Sequence, residues 1–293
     1  MQKIVPHLWF DKEAVEAAHW YTSLFENSAI IGLATIPGTP SGDAETVDFQ
    51  LANLRFSAIS AGPYFRFNPS VSLMVSCGTL QEVSRLYTEL SVDSSVLMPL
   101  GEYPFSQRYG WVQDRYGLTW QLILVDKVDE QNKIRPNLLF AGPACGMAVD
   151  AIDYYISIFD SSTKGYISHY SEGEARDKRA QVNYAEFSIG ENQFIAMDHG
   201  LGGDFTFNEA FSFVVLCDDQ AEIDKYWDKL SFVPEAEQCG WLKDKFGVSW
   251  QIVPINLRKV LMHGTKEEVK RVTDAFLKMK KLDMAAIETA RLG

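Results

Sequence analysis

The chain has 293 residues, 46% of them hydrophobic and 23% charged, with a formal net charge of −12. Such values describe an ordinary globular chain long enough for two cores, and the acidic excess excludes a nucleic-acid surface, which needs clustered Lys and Arg. No apolar run nears the ~20 residues that span a bilayer, no signal-peptide core follows Met1, and four cysteines without a CxxC pair point to a reducing, cytoplasmic setting.

A short apolar strand is predicted from Ile4 to Phe10. Ala14, Ala17, Ala18, Tyr21, Leu24 and Phe25 then recur at helical spacing and predict one buried stripe. The turn-rich stretch Pro37–Asp43 is a loop, and Val47–Leu51 alternates as a strand does. Ala52-Asn53 makes a tight turn into a second strand, Leu54–Ile59. Ser70–Cys77 is a buried strand, followed by a helix over Thr79–Leu90 that opens on a Thr79/Glu82 capping box. Strands Tyr109–Gln113 and Leu118–Val125 close the first half.

The second half repeats the first. Gly110–Gln121 is a near copy of Gly240–Gln251, and Pro6–Phe10 keeps the same spacing to Pro136–Phe140. Trp20–Phe25 matches Tyr154–Phe159, and Cys77 matches Cys217. A period this long marks a domain rather than a solenoid unit. The expected division is residues 1–126 and 133–256, joined by the polar stretch Val125–Lys133, with a helical tail over 264–292 outside the repeat. In that tail Thr265 and Glu268 form a second capping box, and Val269, Val272, Phe276 and Met279 a stripe that packs on a domain or a partner subunit. The basic run Lys278–Lys281 reads as a solvated helix face.

With Lys3–Asp11, Trp20–Phe25 and Cys239–Gln251, the chain resembles the vicinal oxygen chelate superfamily of glyoxalases, bleomycin-resistance proteins and dioxygenases. Within it, the PhnB-like branch is most similar. The resemblance implies an α+β fold: tandem glyoxalase-like domains, each of two βαβββ modules forming a cupped mixed sheet whose hollow takes a ligand or metal. It further implies metal ligands on the first, fourth, fifth and eighth strands of a cup. Those positions fall on His7 and Asn137, on Ala58 or Ser60 and Ala196 or Asp198, on Ser72 and Ser212, and on Gln121 and Gln251. Each cup then offers at most one good transition-ion ligand, where three or four are needed. His7 and Gln121 are the only metal candidates, and no cofactor is expected.

The expected ligand-binding set is His7, Trp9, Tyr64, Trp111, Gln121, Asn137, Asp198, His199, Trp241 and Gln251. Asp198 and His199 are neighbours on a strand, so they face opposite ways and make no dyad. Cys239 has no evident base beside it. The branch carries a demethylubiquinone methyltransferase-like label, but the glycine-rich loop of a nucleotide-binding βαβ unit is absent, so methyl transfer is not expected. The favoured reading is a metal-independent small-molecule binding protein with a ligand cup in each domain. A metal-dependent lyase or dioxygenase working through His7 and Gln121, and a scaffold whose tail assembles a homodimer around Val272 and Phe276, are the alternatives.

Overall fold

The computed structural model describes residues 2–293. The first module comprises β1 (Ile4–Phe10), α1 (Ala14–Leu24), β2 (Ala29–Thr39), β3 (Gly42–Leu51) and β4 (Leu54–Ser60). The second is β5 (Val71–Cys77), α2 (Leu80–Leu90), β6 (Ser95–Tyr103), β7 (Ser106–Gln113) and β8 (Thr119–Leu124). The third is β9 (Ile134–Phe140), α3 (Ala148–Ile158), β10 (Thr163–His169), β11 (Val182–Ile189) and β12 (Asn192–Asp198). The fourth is shorter: β13 (Phe211–Cys217), α4 (Gln220–Leu230), β14 (Trp241–Lys243) and β15 (Ser249–Pro254). The tail then adds α5 (Ile255–His263), α6 (Lys266–Phe276) and α7 (Met284–Leu292), the first of which lies ahead of the expected tail helices.

Two cupped mixed sheets result. One is seven-stranded, in the order β14-β15-β13-β1-β4-β3-β2; the other is eight-stranded, in the order β10-β11-β12-β9-β5-β8-β7-β6. Each sheet joins one module from each half of the chain. The first module pairs with the fourth through β1 and β13, His7 opposite Ser212, and the second with the third through β5 and β9, Ser72 opposite Asn137. The two halves are nevertheless packed units on the helical side. In the first, Tyr21 of α1 donates a hydrogen bond to Asp114, and Phe25 stacks on Trp120 at 5.7 Å. In the second, Tyr155 of α3 reaches Asp244 and Phe159 stacks on Trp250.

The near-verbatim segment of the two halves builds one device. Asp114 accepts the backbone N–H groups of Tyr116 and Leu118, the Tyr21 hydroxyl and the Trp120 indole N–H. Asp244 does the same with Phe246, Val248, Tyr155 and Trp250. Each carboxylate closes a turn and locks a helix onto the sheet. Burial pushes both carboxyls up to about 6, against hydrogen bonds that favour the charged form.

The fourth module lacks a counterpart of β6. A short turn over Pro234–Ala236 stands there, and the tail fills the gap: Cys239 N–H donates to the Met279 carbonyl and Gly240 N–H to that of Lys280. The tail stripe is consumed inside the chain. Val272 and Phe276 are buried with Leu257, Leu282 and Ile287 against Ile36 of β2 and Val253 of β15. That corrects the expectation of an apolar assembly surface at Val272 and Phe276.

Candidate functional site

Side chains alternate across a strand, so the residues facing away from α1–α4 line the hollow of each cup. In the seven-stranded cup, His7, Ser57 and Asp48 lie in register on β1, β4 and β3. The Gln251 amide donates to Ser212 Oγ at 3.0 Å, and that hydroxyl lies 3.4 Å from His7 Nδ1. Trp241 sets its ring edge-to-face against His7 at 5.5 Å and against Trp9 at 6.0 Å. Asp48 is ion-paired with Arg258, which α5 lowers over the hollow. Burial, and secondarily the Arg258 guanidinium, pushes the His7 imidazole down to about 3, so it is neutral.

The eight-stranded cup repeats this row with different chemistry. Ser72 Oγ accepts from the Gln121 amide at 2.8 Å and the Asn137 amide at 3.3 Å. Tyr109 donates to Gln121 Oε1 at 2.7 Å. Asn137 also points its amide at Met197 Sδ, 3.8 Å away. Glu186 holds the register position of Asp48 and pairs with Arg135 of β9 at 2.7 Å, with the Tyr184 hydroxyl 2.6 Å away. Three buried atoms here have no hydrogen-bond partner: Asn137 Oδ1, Trp111 Nε1 and Arg135 Nε. Asn137 is wholly buried. An unsatisfied buried polar atom costs about 1–3 kcal/mol, so this hollow is incomplete as protein alone.

The expected set therefore divides. His7, Trp9, Trp241 and Gln251 share one cup; Trp111, Gln121 and Asn137 share the other. The grouping of His7 with Gln121 as a metal pair is wrong, because β1 and β8 belong to different sheets. Tyr64 is 64% exposed and touches only the rim, edge-on to Trp9 at 6.4 Å. Trp9 itself donates its indole N–H to the Gly62 carbonyl. Asp198 is not a ligand group: its carboxylate is spent on the backbone N–H groups of Gly146, Ala148, Gln181 and Val182. His199 lies past the end of β12 beside Phe205 at 5.2 Å, and burial lowers its pKa. Sequence reasoning missed Asp48, Glu186, Arg135, Tyr109 and Arg258. Strand alternation through Asp48 could have placed it in the hollow; nothing local marks Arg258.

The donors fit no transition-ion site. One neutral imidazole, a serine and an amide sit beside the Asp48–Arg258 ion pair in the first cup, and two amides and a serine beside the Glu186–Arg135 pair in the second, so each carboxylate is already matched by a guanidinium. Among the described residues no three His, Cys, Asp or Glu side chains are grouped to hold an ion. Among the described residues no helix is long and apolar enough to cross a membrane.

A family model described as 3-demethylubiquinone-9 3-methyltransferase matches residues 2–123 and again 132–253. A solved structure described as a 3-demethylubiquinone-9 3-methyltransferase, PhnB protein, from Bacillus cereus is 37% identical over 42% of this chain and 100% of its own, with a TM-score of 0.40. Glyoxalase I from Zea mays is only 8% identical, yet matches 89% of this chain and 98% of its own with a TM-score of 0.55. The latter is a likeness of fold. No curated protein matches the chain.

Proposed function

This chain belongs to the family described as 3-demethylubiquinone-9 3-methyltransferase, twice in one polypeptide, and from that premise we propose that it is a metal-independent, cytoplasmic small-molecule binding protein. The ligand enters the eight-stranded cup. The observation that carries this reading is the carbonyl oxygen of Asn137, wholly buried and unpartnered on an inner face that also holds the unpartnered indole N–H of Trp111. Both atoms are sealed from solvent, so a ligand that offers a donor to the first and an acceptor to the second completes the cup by displacing the side chains over them. Arg135 and Glu186 neutralise one another, so the ligand is uncharged at that point, and the ring of Trp111 and the edge-to-face pair Tyr103–Tyr109 supply aromatic walls.

Turnover finds little support. Burial pushes the Tyr109 phenol well above its ordinary value, so it keeps its proton and acts as a hydrogen-bond donor. No free carboxylate or imidazole joins that row. The net charge of −12 argues against a nucleic-acid partner.

The test is a set of neutral aromatic and heteroaromatic fragments, screened by ligand-observed NMR and thermal shift in the presence of EDTA. Hits are expected, and Asn137→Leu should weaken them about tenfold or more, ~1.4 kcal/mol. Binding that requires added divalent metal, or that ignores the Asn137 substitution, would overturn the reading.

A further inference from the structure

The two cups solve one electrostatic problem in two ways. Both place a carboxylate at the same inner position of the third strand, Asp48 in one and Glu186 in the other. Glu186 takes its counter-charge from the sheet itself, from Arg135 on β9. The corresponding residue of β1 is Val5, which cannot serve. Asp48 instead takes Arg258, and that arginine rides on a segment outside the sheet.

The segment is seated like an occupant. α5 leaves β15 directly and crosses the hollow towards β2, where Met262 lies in the space that a side chain at Gly32 would need. Leu257 is buried against Ile36 and Val253, one on each side of the mouth. The same inner face carries the neutral ring of His7, near enough to Arg258 to feel its charge, and Trp241 packs on both His7 and Trp9. The Asp48 carboxylate, whose counter-charge comes from outside the sheet, suits a cation.

We propose that the seven-stranded cup is a latent binding site for a guanidinium or ammonium compound, held shut by the chain's own Arg258, and that such a ligand enters only as α5 withdraws. The exchange is coupled. The Asp48 and Arg258 side chains are largely withdrawn from solvent, and a carboxylate left there without its counter-charge is destabilising, so Arg258 leaves Asp48 only when another cation replaces it. The tail remains tethered meanwhile through the backbone bonds of Met279 and Lys280 to Cys239 and Gly240.

Methylguanidinium is the probe, titrated by ligand-observed NMR and calorimetry into the full-length protein. Wild type should show weak or no binding, and Arg258→Ala binding at least about tenfold tighter. Asp48→Asn added to Arg258→Ala should abolish it. Hydrogen exchange should show residues 255–263 of Arg258→Ala opening while β1 and β13 stay protected. Where Arg258→Ala fails to fold, Arg258→Lys serves, since it keeps the charge without the planar fork; methylguanidinium should displace it more readily than the native arginine. Equal binding to wild type and variant, binding that survives Asp48→Asn, or loss of protection across the whole sheet overturns the proposal. Asn137→Leu lies in the other cup and should leave this binding unchanged, so the two readings fail separately.

Discussion

At residue scale, three buried titratable groups pull stability in opposite directions with pH. His7 has a folded-state pKa of about 3 against 6.5 when unfolded. Below 6.5 the unfolded chain takes up the proton and the folded one does not, so this residue contributes stability above that pH and loses it as pH falls. Asp114 and Asp244, raised from 3.8 to about 6, act oppositely: the folded state binds the proton first, and stability from them grows as pH falls from about 6 towards 3.8. A wild-type profile therefore mixes the two signs, and His7→Gln separates them. Between pH 6.5 and 4 wild type should lose about 1.4 kcal/mol per pH unit relative to the variant, measured by urea denaturation across that range. Parallel profiles would mean that His7 is charged in the folded protein. The Asp114 and Asp244 clamps also show what the near-verbatim wording of the two halves records. Every side-chain oxygen of Asp114 and Asp244 is committed to holding a turn and a helix, so the strongest repeat in the sequence marks architecture. The hollows differ between copies at His7 and Asn137, where the wording diverges.

At the scale of elements, the missing strand of the fourth module and the presence of the tail are one fact. Without a counterpart of β6, the edge at β14 would leave backbone groups unpaired, and exposed edges invite association. The Met279–Lys280 segment takes up the N–H groups of Cys239 and Gly240 instead, and α6 buries its stripe over Ile36. Phe276→Ala should then cost about 3 kcal/mol or more in chemical denaturation while leaving the elution volume on size exclusion unchanged. A variant that keeps its stability but changes its assembly state would return the stripe to an intermolecular role. The Thr265 capping box and the stripe were legible because capping and periodicity are local signals. α5 was not, since Ile255–His263 directly abuts a strand and has no side-chain cap at Pro254.

Across the whole molecule, the module order and most strands and helices were legible; the β6 counterpart expected of the fourth module is absent, α5 was not foreseen, and each cup joins modules of both halves where one cup per half was expected. The physical reason for the last is degeneracy. Ser72 and Ser212 occupy equivalent positions of equally buried strands, so β1 could pair with either at the same alternation of polar and apolar faces. Hydrophobic pattern fixes which face of a strand turns inward and says nothing about which of two like strands lies beside it. Tertiary packing decides, and it places each half of the chain in both sheets. Residues 1–126 and 133–293 expressed as separate chains in one cell should therefore co-purify as a tight complex, because each half alone leaves the long inner edges of β1, β5, β9 and β13 bare. Two halves that purify apart as stable monomers would contradict the shared sheets.

The shared sheets also set an order of assembly. The contact between Ser72 and Asn137 closes a loop of 65 residues, whereas that between His7 and Ser212 closes one of 205. Loop entropy alone separates the two by only ~1 kcal/mol, but synthesis on the ribosome separates them in time. The eight-stranded sheet can be complete once residue 198 has emerged. Until β13 follows, the first module waits with the free edge of β1 uncovered, the one interval in the life of the chain when its earliest-made strand is open to a wrong neighbour.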